Sequence, residues 1–206
     1  MGKTAKKIVA YSSILATFLA IVLIFWSEEV RYSLPTPIPK SYREVAVNQV
    51  IPVKDFIQTQ TPKPIFLHFF NPACPCSKFN LSHIRSLVKK YNKEIEFYAV
   101  LQVEDKNYDI SKFAEKYDLP VKAIIDYENV LAEKCGVYST PQAVILTTHS
   151  KLYYRGNYNK SRYCTNKVTN FAQMAIDSLL LGKEPPQFGI LASQSYGCEL
   201  PREMEN

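Results

Sequence analysis

Hydrophobic and polar positions follow three distinct regimes along the 206 residues of this chain. From Ile8 to Trp26 (IVAYSSILATFLAIVLIFW) nineteen residues carry no charge, and a helix of that length, at about 1.5 Å per residue, roughly matches the hydrocarbon core of a bilayer. A secretory signal also begins with lysines, but its apolar region is usually shorter, about 7–15 residues, and ends at a small-residue cleavage site. Here the segment ends Phe25-Trp26-Ser27-Glu28-Glu29, and aromatic residues suit a membrane–water interface. The expectation is an uncleaved single-pass anchor, residues 1–27. Lys3, Lys6 and Lys7 before the span and Glu28 and Glu29 after it predict an N-terminus inside the cell membrane. The rest of the chain then lies on the extracytoplasmic, periplasmic side.

The second regime is Leu34-Pro35-Thr36-Pro37-Ile38-Pro39, where alternate prolines oppose a regular helix and favour an extended, semi-rigid spacer. Residues 28–41 are read as this linker, 42–183 as one folded domain and 184–206 as a tail without a convincing period. Within the domain the third regime alternates short apolar runs with helical stripes. Ile65 to Phe70 (IFLHFF), Glu96 to Val103, Val121 to Ile125, Ala143 to Thr147 and Leu152 to Arg155 predict strands, the last two a hairpin through His149-Ser150. Leu81, Ile84, Val88 and Tyr91 predict a helix, as do Ile110 to Tyr117, Asn129 to Cys135, and the stripe Val168, Phe171, Ala175 and Leu179, which stops at Gly182. Strands alternating with helices and closing on a hairpin argue an α/β fold with a central mixed sheet flanked by helices.

Charge changes the picture little. The net charge is +6, and half of it comes from the three N-terminal lysines. The remainder is interspersed with acids, so a nucleic-acid surface is not expected.

Five cysteines change it more. Outside the cytoplasm they have access to disulfide and redox chemistry, and an odd number leaves one unpaired. Cys74-Pro75-Cys76 stands between the aromatic strand and the helix that follows, where unpaired helix N–H groups favour a thiolate over a thiol. Pro75 suits the first helical turn because it has no N–H to leave unsatisfied. Cys74 is therefore the expected nucleophile and Cys76 the expected resolving thiol. Cys164 and Cys198 lie outside apolar runs, and a structural disulfide between them would tie the tail to the domain. Cys135, after Val130, Leu131 and Ala132, is expected to be a packed thiol, with a second redox partner as the alternative.

The segment Phe66 to Lys78, the run Gly136-Val137-Tyr138-Ser139-Thr140-Pro141 and Tyr154-Arg155-Gly156 together resemble the thioredoxin superfamily. The resemblance is nearest to its membrane-anchored TlpA/ResA-like thiol–disulfide oxidoreductases and covers roughly 64–182. It implies a thioredoxin-like fold, protein thiols or disulfides as substrates and an unknown redox partner, with no cofactor beyond the chain's own dithiol. It also implies that Pro141 is cis and that Thr140 and Pro141 hold substrate backbone. His68, six residues before Cys74, falls where the family keeps a buried acid that moves protons for the second cysteine. An imidazole is able to take that role, and a hydrogen-bonded core histidine is the other reading.

The chain departs from the family in having Ala73 before Cys74 and Cys-x-Cys in place of Cys-x-x-Cys, with Ser77 at the second cysteine's usual position. That spacing admits a Sco-like copper-handling or a non-catalytic binding module as the alternative, with His68 the histidine nearest the cysteines. No metal is assigned. A peroxidase is disfavoured because Asn71 replaces the usual threonine. His83 and Lys78 are expected to be solvated and His149 to sit in a turn.

Overall fold

The structure is a computed structural model, and it describes residues 2–59, 62–105, 107–161 and 163–201. The chain divides into two compact units, Met1–Leu34 and Pro35–Asn206. The first is a single helix, α1 (Lys3–Ser33), of which Lys3–Ser27 is long and apolar enough to cross a membrane. Ile8, Leu15, Phe18, Phe25 and Trp26 are all exposed along it.

The second unit is built on a five-stranded mixed sheet. Three strands, β1 (Ile65–Phe70), β2 (Glu96–Leu101) and β3 (Lys122–Ile125), run parallel, and β1 lies centrally between β2 and the antiparallel β5 (Gln142–Leu146). The edge strand β6 (Leu152–Gly156) completes the order β3-β2-β1-β5-β6. Helices cover both faces, which is why β1 is buried throughout, and apolar everywhere but His68, rather than alternating. Phe66 and Phe70 point into one core with Ile84, Leu87, Phe113 and Ile176. Ile65, Leu67 and Phe69 point into the other with Leu131, Cys135 and Val144. This is the mixed sheet with flanking helices that the element order predicts.

The predicted strands and helices recur in order, with three refinements. The first helical stretch is broken at Asn80 into α2 (Pro75–Phe79) and α3 (Leu81–Tyr91). The helices α4 (Ile110–Tyr117), α5 (Val130–Cys135) and α6 (Phe171–Leu180) follow, the last preceded by a 3-10 turn over Lys167–Thr169. A two-residue strand β4 (Ser139–Thr140) precedes β5.

Two segments carry more structure than the sequence pattern shows. The tail is structured: it carries α7 (Ile190–Ser193) and β7 (Cys198–Glu199), and β7 pairs antiparallel with β4. Elements this short carry no detectable period, so the sequence pattern could not reveal them. Nor is the whole proline-rich linker a bare spacer. Thr36 is buried, its N–H donating to the Ser195 carbonyl at 2.9 Å and its hydroxyl to the Gly197 carbonyl at 3.2 Å. Extended backbone has unpaired polar groups, and those of the tail satisfy them.

Candidate active site

The loop from β1 to α2 is tied by its own polar groups. Asn71 accepts the Ala73 N–H on Oδ1 at 2.8 Å and the Cys74 N–H on its carbonyl at 3.0 Å, while its own N–H donates to Ser77 Oγ at 3.2 Å. Pro75 opens α2 and Cys74 caps it. Asn71 and Ser77, which the sequence marks only as departures from the family pattern, thus hold the Cys74 loop in shape. Cys74 and Cys76 are each 2% exposed, and Cys74 Sγ lies 3.6 Å from the Thr140 carbonyl oxygen.

Thr140 comes from the opposite side of the site. The Thr140–Pro141 peptide bond is cis, as the resemblance implies. The register of β4 with β7 sets Ser139 opposite Glu199 and Thr140 opposite Cys198. Gly197 makes the approach possible, since a Cβ there would overlap the Thr140 carbonyl.

This register decides the disulfide. Cys198 is bonded to Cys74, across 124 residues and a Cα–Cα distance of 6.0 Å, and not to Cys164. The expected Cys164–Cys198 bridge is therefore corrected. Cys164 remains a thiol at the C-terminal end of α2, donating to Asn80 Oδ1 at 2.9 Å, and burial pushes it up to about 12. The tail is held to the domain by further bonds. Asn157 donates its N–H to the Ala192 carbonyl at 2.8 Å, Ser195 donates its N–H to the Tyr138 hydroxyl at 3.3 Å, and Gln142 Nε2 donates to Ser195 Oγ. A glycine directly before the last cysteine was the one sequence signal that this tail approaches another backbone closely.

Cys76 is brought to the same place. The sulfur atoms of Cys74, Cys76 and Cys198 all lie within 4.8 Å of one another. His68 does not join them, which removes the two-cysteine, one-histidine ligand set as a metal site. His68 is 1% exposed, and its Nδ1 lies 2.7 Å from the Tyr158 hydroxyl. Burial, reinforced by His83, holds its imidazole neutral, down to about 3. The expected solvation of His83 is also corrected: it is buried on α3, edge-on to Tyr158, and desolvation lowers its pKa. No sequence period distinguishes a helix histidine that faces inward over one turn. Cys135 is fully buried with its thiol pushed up by desolvation, as a packed residue should be. Lys78 is exposed.

A model for the family described as "Domain of unknown function (DUF6436)" matches residues 45–199, a span that runs from before the sheet to the tail strand. The chain belongs to the DUF6436 family. Among curated proteins none matches this DUF6436 chain. Among solved structures it is similar to an uncharacterized conserved protein from Geobacillus kaustophilus, 22% identical over 82% of this chain and 94% of that one, TM-score 0.61. It is also similar to a hypothetical protein from Sinorhizobium meliloti 1021, 15% identical over 80% of this chain and 98% of that one, TM-score 0.64. The thioredoxin domain of a thiol-disulfide oxidoreductase from Bacteroides vulgatus is a more distant likeness, 14% identical over 59% and 96% of the two chains, TM-score 0.47.

Proposed function

We propose that this DUF6436 protein is a membrane-anchored, extracytoplasmic thiol–disulfide oxidoreductase of the TlpA/ResA-like kind. It would act on protein thiols or disulfides with Cys74 as the nucleophile. One observation carries the reading: a disulfide joins Cys74, at the strand-to-helix junction, to Cys198 on the strand that faces Thr140, with a third thiol inside the same 4.8 Å cluster. A buried packing cysteine has no need of such an arrangement.

Reduction of the Cys74–Cys198 bond yields the attacking form. The Cys74 thiolate attacks one sulfur of a partner disulfide, forming a mixed disulfide and expelling the partner's other sulfur as a thiolate. A second cysteine then attacks Cys74 Sγ and releases the partner's remaining sulfur. Two electrons pass to the partner, and the chain is left with a disulfide. Cys198, rather than the expected Cys76, is assigned this resolving role because it is already bonded to Cys74. Cys76 is a second thiol within reach of the same sulfur. The backbone of Thr140, which pairs with Cys198 here, is the natural edge for an extended partner segment once β7 alone peels away from it, the rest of the tail staying docked. His68 supports the site as a neutral, Tyr158-bonded imidazole buried in β1. The apolar stretch Lys3–Ser27 supports the anchor, and the Lys-before, Glu-after asymmetry supports the orientation.

The test is turnover of an insulin or scrambled-disulfide substrate with dithiothreitol by the full chain in detergent. A cysteine-dependent rate that Cys74→Ser abolishes is expected. A wild-type rate no faster than that of Cys74→Ser would refute the proposal.

A further inference from the structure

We infer that, when the Cys74–Cys198 disulfide is reduced, Cys74, Cys76 and Cys198 form a three-thiolate site for one Cu(I) ion. Three sulfurs bound to a common ion at about 2.3 Å lie roughly 4 Å apart. The three sulfurs here already fall within 4.8 Å of one another while two of them are still bonded. Breaking that bond lets the pair separate towards the required spacing without bringing any new residue in. Two donors sit on one rigid turn, at the cap and first turn of α2, and the third on β7, so the backbone presents them from opposite sides of one point.

The donor set selects the ion. It consists of sulfur alone, and among the described residues no histidine or carboxylate joins the cluster. Calcium and magnesium require oxygen ligands. Zinc in structural sites takes four ligands, and burial of Cys74 and Cys76 leaves little room for water to supply the fourth. A soft monovalent ion that favours thiolates is what remains.

The site is gated by electrons. A partner dithiol supplies two electrons and two protons to the Cys74–Cys198 bond and leaves as a disulfide, which frees both thiols. Cu(I) then displaces up to three thiol protons and stays Cu(I). When a partner disulfide takes the two electrons back, Cys74 and Cys198 rejoin, two of the three ligands are lost and the ion is expelled. The inference shares its cysteines with the proposed oxidoreductase but not its turnover, so either can fail alone.

The test uses the full chain in detergent, reduced with a phosphine that is then removed, and titrated anaerobically with Cu(I) against a chromogenic chelator. One Cu(I) per chain is expected, with X-ray absorption showing sulfur ligands only, and three of them. The oxidised chain should take up none. Loss of a supporting group costs about 10–100-fold in metal affinity, so removing a ligand in Cys76→Ser or Cys198→Ser should weaken binding by at least about tenfold. Cys164→Ser and Cys135→Ser should bind as the wild type does. No uptake by the reduced chain, equal uptake by the oxidised chain, or nitrogen or oxygen ligands in the unmutated protein would overturn the inference. The ligand count does not depend on any variant folding. The turnover assay, run without copper, reports separately on the oxidoreductase.

Discussion

Replacing Cys198 by serine removes a bond that closes a loop spanning 124 residues. In the chain-entropy account a loop of that length restricts the unfolded ensemble by about 5 kcal/mol near room temperature. A domain is typically stable by about 5–15 kcal/mol, so this one bond is a large share. The native tail itself should stay docked, because Asn157, Tyr138 and Gln142 hold Ala192 and Ser195 independently of the disulfide. Most of the loss therefore comes from the freed unfolded chain. A Cys74–Cys76 bond formed in its place would span only one intervening residue and restore little of that entropy. Cys164→Ser is the control: a serine hydroxyl can still donate to Asn80 Oδ1, and the change should be within about 1 kcal/mol. The assay is urea unfolding of the full chain in detergent, followed by circular dichroism without reductant. Peptide mapping of the same oxidised samples accompanies it. Cys198→Ser should lose up to about 5 kcal/mol, and the Cys74 and Cys198 peptides should be joined in the wild type. A loss that follows Cys164 instead, or a Cys164–Cys198 peptide, would refute the assigned connectivity.

Burial lowers the pKa of His68 from 6.5 to about 3, so the unfolded chain binds more protons than the folded one between those limits. Stability present above pH 6.5 should fall by about 1.4 kcal/mol per pH unit from this group as the pH drops towards 3. His83 adds to the fall in the same direction. His68→Phe, which leaves the Tyr158 hydroxyl the Gln142 carbonyl at 3.4 Å, should flatten the pH dependence of unfolding. An unchanged slope would show His68 to be accessible to protons. A Cβ on Gly197 would overlap the Thr140 carbonyl, and overpacking of this kind costs about 1–3 kcal/mol. Gly197→Ala should therefore make the disulfide easier to reduce, by about 20–65 mV for a two-electron couple. A potential equal to the wild type in a dithiol redox titration would remove β7 as a determinant. Cys135 is fully buried with a raised pKa, and an alkylating probe at neutral pH should modify it only in denaturant. Fast labelling of the native chain would show that α5 opens.

What could be read in advance was local. Ile65 to Phe70 is apolar but for His68 because both its faces are covered, and Ile84, Val88 and Tyr91 recur at helical spacing because one face of α3 is. Those patterns are imprinted within a few residues, so strand and helix order, the apolar N-terminal helix and the placing of Cys74 at a strand-to-helix junction needed no coordinates. The partner of Cys74 was a different matter. Cys198 reaches it through a two-residue strand, too short to carry a period, and through contacts that cross more than half the chain. His68 and Tyr158, and Cys164 and Asn80, likewise meet only when separate elements pack. Sequence spacing records which face a residue takes within its own element, whereas which elements meet is set by the burial of all their apolar faces together. The identity of the third sulfur in the cluster belonged to that second kind of information.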